Sequence, residues 1–360
     1  MKISSVRIRQ FEMQRLDPTY RTASFAASGT VGFILEITAG GVTGIGGTAA
    51  HPVTIKIEDL AAQLSGPVRK LLLGADPLAG NLIRLDLKRM DIHSRGRLAA
   101  DLALYDLMGK LANLPCHAFW GGMVRSKIKV IRMVGIKLPD ELVAAVRPVV
   151  DQGFTHFKVK IGTGIPEDVE RLRALRQTFG DDLWIGVDAN SAYTPEEAIE
   201  LSRALQDYRV QLIEQPTDDD DVDALARVIA ASPIPIMSDR SVTDLRSALA
   251  VCQKRAAHIV SIKATAFGSL EECRQIYELC QAFGIRVHFG GSVTSAVADI
   301  ATAQLAACLP GAEEECEVGE FLAVKGDPIR GVPVRDGCIE PSAAPGWGVH
   351  MDPEFTGTEI

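Results

Sequence analysis

The sequence predicts an α/β protein built around a closed parallel barrel, with a separate α+β module ahead of it. Three observations lead there. At 360 residues the chain has room for two domains, or for one large barrel carrying an extra module. Up to about residue 125 the pattern runs strand, strand, then helices. From about 126 it changes to eight short β-rich runs with amphipathic helices between most of them, the rhythm of strands that pair in parallel. The expected divisions are 1–125 for the α+β module, 126–322 for the barrel and 323–360 for a C-terminal segment.

In the first module VGFILEITAGGVTGIGG reads as a hairpin turning on Gly40 and Gly41, and helical periodicity marks 56–74 and 95–113. The eight runs are IKVIRMVGI, THFKVKIG, LWIGVDAN, VQLIEQP, IPIMSD, HIVSIK, IRVHFGG and EEECEV. The helices between them are punctuated. Thr194-Pro195-Glu196-Glu197 supplies an N-cap, a proline at the first helical position and acids facing the positive helix end. Gly180 and Gly284 stop two other helices. Beyond residue 323 Gly and Pro are frequent and the helical period is lost, so this segment is expected to return to the first module as loops and short strands. The run Asp218 to Asp221 reads as a solvated helix start.

Hydrophobic residues make up 47% and charged residues 23%, a globular balance with no compositional case for disorder. The 46 acidic against 38 basic side chains leave a formal charge of -8, which argues against a sequence-independent grip on nucleic acid or on an anionic membrane. A small-molecule substrate remains open. The 7 cysteines form no CxxC pair, so neither a disulfide framework nor a zinc ribbon is suggested and a reducing compartment fits. Met1 leads into the strand-like KISSVRIRQF rather than a basic segment and an apolar core, and no long apolar run follows, so a cytoplasmic protein is expected.

Chemistry in a parallel barrel collects at the carboxyl ends of the strands. Five successive strands here end in charged residues: Lys158 and Lys160 on the second, Asp188 with Asn190 on the third, Glu214 on the fourth, Asp239 on the fifth and Lys263 on the sixth. The three acids stand one βα unit apart, which brings three carboxylates from adjacent strands to one spot. Unpaired they would repel, and a hard cation bound through oxygen resolves this; magnesium, which keeps positions open for water or substrate, fits best. Lys158 and Lys160 leave the same side of their strand. A neighbouring ammonium and a nearby cation both favour a neutral lysine, so Lys160 is expected to have a lowered pKa and to act as a general base. The cysteines, His258 and His288 read as core residues, each histidine lying in an apolar run with no partner at metal-ligand spacing.

These residues resemble the enolase superfamily, and within it the muconate lactonizing enzyme (muconate cycloisomerase) subgroup of the mandelate racemase/muconate lactonizing enzyme family, a system whose Lys base and Mg2+ are an established example of tuned acids and bases. Lys158-Val-Lys160 resembles the family's KxK motif, whose second lysine is a base; VDAN and IEQP match the segments bearing the first two metal ligands, and Asp239 falls where the third is expected. Lys263, in IVSIKATAFGS, resembles the second base, on the opposite face of the substrate, and DLALYDLMGKLANLPCHAFWGG resembles a helix of the capping domain with its LLGG-like ending. The resemblance implies a (β/α)7β barrel with an α+β N-terminal capping domain, Mg2+ held by Asp188, Glu214 and Asp239, Lys160 and Lys263 as catalytic residues and Lys158 in support. It implies an isomerase acting on a small-molecule carboxylate, and a homo-oligomer is expected.

Three departures bear on the substrate. The family's Asp-Glu pair after the fifth barrel strand is Asp239-Arg240, its usual Glu-Ser pair is Thr294-Ser295, and Gly47 replaces the acid of a Gly-x-Gly-Glu sequence. Glu317 and Glu320 in CEVGE are only a loose substitute for the Asp-x-Asp of dipeptide epimerases. Asn190, Thr294 and Tyr20 are assigned to substrate binding, while Arg21 reads as a solvated loop residue. Thr294 in place of an acid argues against a cationic substrate group there. The expected enzyme abstracts the proton alpha to a carboxylate and stabilises the enediolate, racemising, epimerising or cycloisomerising an N-substituted or cyclic amino acid or a muconate-like acid. Syn-dehydration of a hydroxy acid or hydroxyproline-type substrate is one alternative. A catalytically silent metal-binding barrel with a binding or regulatory role is another.

Overall fold

A computed structural model of the chain describes residues 1–313 and 315–360. It begins with an antiparallel sheet of β1 (Ser5–Arg15), β2 (Gly29–Ala39) and β3 (Val42–Ala49). Gly40 and Gly41, with φ of +59° and +77°, form the two-residue turn between the paired Ala39 and Val42, as the Gly-Gly pair implies. Successive side chains of a strand face opposite ways, and each face of this sheet has its own core. Val6, Ile8, Phe33, Leu35 and Ile37 pack with Leu60, Leu64, Ile83 and Leu104 from the helices of the first module. Phe11, Met13 and Ile34 belong instead to the cluster that runs through the barrel.

Helical order over 56–74 is present but broken: Ile57–Gln63 and Arg69–Leu72 flank a wide π turn, Leu64–Val68, that contains Pro67. A further helix, Gly80–Arg89, was not anticipated from the sequence. The periodicity at 95–113 becomes the helix Ser94–Ala112, ended by Asn113 in the left-handed conformation. This helix rests directly on β3. A Cβ at Gly44 would lie 2.5 Å from the Ala103 carbonyl oxygen, and one at Gly46 would collide with that of Ala99. The close approach carries the helix start, with Ser94 and Arg95, to the mouth of the barrel.

Each of the eight β-rich runs holds a strand: β4 (Ile128–Val134), β5 (His156–Lys160), β6 (Trp184–Asp188), β7 (Ile213–Glu214), β8 (Ile236–Ser238), β9 (Ile259–Ile262), β10 (Arg286–Phe289) and β11 (Glu315–Cys316). β4 to β10 pair in parallel, neighbour to neighbour, and β11 pairs in parallel with β4. A parallel bridge between Val287 and Ala312 joins β10 to the segment leading into β11, which closes the ring. Helical connections follow each of β4 to β10, giving (β/α)7β. Thr194 caps its helix through a reciprocal box with Glu197, and Gly180 and Gly284, with positive φ, lie at the ends of two others.

The C-terminal residues divide their strands between the two bodies. Val324–Lys325 and Thr358–Glu359 pair with β1, whereas Cys338–Ile339 pairs antiparallel with β4. Six cysteines are buried, Cys338 is partly exposed, and all are free. Among the described residues no helix is long and apolar enough to cross a membrane.

Candidate active site

Parallel register turns the strand ends into a row. Lys160 stands beside Asp188 and Asp188 beside Glu214, while Asp239 and Lys263 come immediately after β8 and β9. Lys160 bonds to Asp188, and Lys263 reaches Asp239 at 2.6 Å and Glu214 at 3.5 Å. Lys158, on the same face of β5, bonds to Glu214 and to Glu317, the residue after β11. Glu317 also accepts from the Gly291 N–H at 2.9 Å, and His288 Nε2 lies 3.0 Å from it.

The backbone bends sharply past two of these ends. Asn190, Ser191 and Gln215 all have positive φ without being glycine, a conformation that costs on the order of 1–3 kcal/mol each. Side-chain bonds hold it: Asn190 donates its N–H and Nδ2 to Asp188 at 2.9 and 3.1 Å, and Gln215 Oε1 accepts the Asp239 N–H at 2.9 Å.

Charge in the row differs from the sequence expectation. Burial favours neutral lysines, but the carboxylates outweigh it: Asp188 raises Lys160, Asp239 and Glu214 raise Lys263, and Glu214 and Glu317 raise Lys158. Lys158 does push Lys160 downward, as its spacing implies, yet less than Asp188 pulls it up. Burial likewise opposes ionisation of Glu317, and Lys158 with His288 overcomes this, holding it well below the usual carboxylate range.

A cavity of about 500 Å3 opens over the row, lined by both the barrel and the first module. Lys160, Asp239, Lys263 and Asn190 line it, and Tyr20 joins them from the loop after β1. Lys158, Asp188 and Glu214 are buried behind the lining residues. Thr294 is 2% exposed and not part of the lining; its neighbour Val293 presents the wall there. Arg21 is exposed and off the wall.

The donor chemistry suits a hard divalent cation. Three carboxylates end consecutive strands, and Asn190 Oδ1 is buried beside Asp188 with no hydrogen-bond partner. As they stand, the carboxylates face the lysine ammonium groups, and among the described residues no group of three or more ligand side chains converges on one point. A cation there would compete with the Lys160 and Lys263 ammonium groups for Asp188, Glu214 and Asp239.

Two sequence families match the chain. Residues 5–121 match the mandelate racemase / muconate lactonizing enzyme N-terminal domain, and residues 141–355 match the enolase C-terminal domain-like family. The chain belongs to the mandelate racemase/muconate lactonizing enzyme family. A hydrophobic dipeptide epimerase of Enterococcus faecalis is 31% identical over 294 residues, 81% of this chain and 82% of that one. An N-succinylamino acid racemase of Amycolatopsis is 31% identical over 325 residues, 86% of each chain. The solved dipeptide epimerase from Cytophaga hutchinsonii, complexed with Mg and the dipeptide D-Ala-L-Val, superposes with a TM-score of 0.93 over 100% of this chain and 99% of that one, at 26% identity. The chain is an isomerase of the enolase superfamily, the reaction class these names share.

The departures from the family pattern now have places. Gly47 lies against Ser295, the residue after the altered Thr294: a Cβ at 47 would sit 2.5 Å from the Ser295 Cβ. Arg240 lines the cavity, donates to the Ser24 hydroxyl at 2.8 Å and lies 3.6 Å from Asp219. Asp219 also bonds to Ser191 and lines the cavity, so the acidic run is more than a solvated helix start, although Asp221 does cap the helix Val222–Ala231. Sequence reasoning missed Glu317 as a partner of Lys158 and read His288 as partnerless. The strand-end rule applied to the eighth run would have found Glu317; Arg15 and Arg95, also on the wall, carry no local signal. His258 is a structural residue whose Nδ1 accepts the Ile236 N–H at 3.1 Å.

Proposed function

We propose that this family member is a Mg2+-dependent enzyme that removes the proton alpha to a carboxylate and returns it to either face, racemising or epimerising an N-substituted amino acid. The observation that carries the reading is that Lys160 and Lys263 line one cavity from opposite ends of the Asp188, Glu214, Asp239 row. Asp188, Glu214 and Asp239 would hold the ion; bound there, it supplies positive charge to the substrate carboxylate and competes for the groups that now keep both lysines protonated.

The chain's own residues then divide the work. Lys160 Nζ, released from Asp188, accepts the alpha proton on one side, and Lys263 Nζ delivers a proton on the other; in the reverse direction the roles exchange. Lys158 holds Glu214 and Glu317 in place and transfers no proton, since it does not line the cavity. Asn190 orients Asp188 through two hydrogen bonds. Tyr20 and Phe25, from the first module, cover the cavity and restrict water around the reacting carbon. Relatives named for N-succinylamino acids and for dipeptides support substrates whose amino nitrogen carries an acyl group.

The test is proton exchange in D2O with Mg2+ and a panel of N-acyl amino acids and dipeptides, read by NMR and by chiral separation. Exchange that disappears on chelation and in Lys160→Ala supports the reading. A folded, Mg2+-binding protein that exchanges no alpha proton across the panel refutes it.

A further inference from the structure

Cys116, Cys308 and Cys316 each donate to a backbone carbonyl oxygen, those of Tyr105, His117 and Glu313. Cys252 and Cys280 are turned toward each other instead, with 4.0 Å between their Sγ atoms. Both are fully buried in the apolar cluster that runs through the barrel. They come from two helices of the outer ring that pack together, Leu245–Gln253 and Leu270–Ala282. Sulfurs in van der Waals contact need to close by only about 2 Å to reach the length of a disulfide bond.

Both cysteines lie in the last turn of their helices, and the residues just beyond them, Lys254, Arg255, Phe283 and Gly284, are exposed. Helix ends fray, so opening of these two turns admits a small oxidant without unfolding the barrel. The same ends lead into β9 and β10, which puts the pair at the opposite end of the barrel from the charged row, and neither cysteine lines the cavity. The two thiols are unlike. A hydrogen bond from Cys280 pushes Cys252 down against the effect of burial, while the same bond and burial push Cys280 up. Cys252 is therefore the sulfur suited to attack first.

We propose that Cys252 and Cys280 are a reversible modification site, a dithiol that a peroxide converts to a disulfide joining the two helices. The Cys252 sulfur attacks one peroxide oxygen; the S–O bond forms, the O–O bond breaks, and the departing oxygen takes up a proton and leaves as water, giving a sulfenic acid. The Cys280 sulfur then attacks Cys252; the S–S bond forms, the S–O bond breaks, and a second water leaves with the Cys280 proton. Two thiols and one hydrogen peroxide give one disulfide and two waters, sulfur being oxidised and peroxide oxygen reduced. The two residues are 28 apart in sequence, and the loop they close carries β9 and Lys263. Closing it restricts the unfolded chain and leaves the cavity as it is, so the disulfide stabilises the barrel without entering the chemistry proposed above.

The test treats the full-length, fully reduced protein with hydrogen peroxide, unfolds it in a maleimide that labels the remaining thiols, and maps the peptides by mass spectrometry. The expected result is loss of two of the 7 thiols and a cross-linked pair of peptides holding Cys252 and Cys280. Dithiothreitol should restore both thiols, and the oxidised protein should melt about 5 °C above the same sample after dithiothreitol. Cys252→Ser and Cys280→Ser should each abolish the cross-link and the difference in Tm. The cross-link is mapped in the unmutated protein, so the test stands even if a variant fails to fold. Absence of thiol loss while the protein stays folded, a disulfide between other cysteines or between chains, or a loss that dithiothreitol does not reverse overturns the site. A mapped cross-link with no rise in Tm overturns its role as a staple.

Discussion

Lys158 on β5 is ion-paired with Glu317, which follows β11 on the other side of β4, so one buried pair spans the strand at which the barrel closes. Its ammonium is shared with Glu214, and all three side chains are at most 1% exposed. Lys158→Met therefore leaves two buried carboxylates short of their counter-charge. The expected loss is about 3–5 kcal/mol of stability, with partial recovery in Lys158→Met combined with Glu317→Gln. Urea unfolding of the four proteins of this cycle checks it; a shifted pH profile with unchanged stability would restore the simpler view of Lys158 as a neighbour that tunes Lys160.

Metal affinity should depend on every acid of the row. Asp188→Asn, Glu214→Gln and Asp239→Asn are each expected to weaken Mg2+ by about tenfold or more, because a hard cation draws most of its binding energy from charged oxygen. Calorimetry on folded variants reads this directly. Unchanged affinity in Asp239→Asn would remove that residue from the ligand set.

The two lysines should be stereochemically distinct. Lys160→Ala is expected to abolish exchange of the alpha proton of one isomer, and Lys263→Ala that of the other, since they approach from opposite ends of the row. NMR in D2O with each pure isomer decides it. Equal loss of both exchanges in either single variant would point to one base rather than two.

His51 should leave a mark on the pH dependence of stability. Its folded value is held down to about 3, first by burial and then by the surrounding cations, against about 6.5 in an unfolded chain. Below about 6.5 the unfolded state takes up the proton first, so stability contributed by the neutral ring is present above that pH and is lost as pH falls toward 3. His51→Gln removes this term. At pH 5 the wild type is expected to lose about 2 kcal/mol that the variant does not, measured by unfolding at pH 7 and pH 5; parallel losses would show that His51 is not the group responsible.

The eight barrel strands, the Gly40-Gly41 hairpin and the helix Ser94–Ala112 were legible because each is written in a local period or turn signal. So was the charged row, since regular βα spacing places strand ends side by side. The helix Gly80–Arg89 was not, and its composition says why: Ile83 and Leu87 are buried while Leu82 and Leu85 are exposed, so apolar residues occupy both faces and blur the period.

By itself, then, the sequence determined the strand-end row, in which three acids and three lysines meet at the mouth of the barrel. Tertiary structure decided how those charges pair and what else faces them. Lys158 and Glu317 are 159 residues apart, and Arg95 and Ser292 are 197 apart. Periodicity reports which side of an element is apolar, a property of the few residues around it. Electrostatic attraction falls as 1/r between groups that chain closure brings together, so Glu317 meets Lys158 only once the barrel closes, and Arg240 meets Ser24 and the guanidinium groups surround His51 only once the first module lies across the barrel.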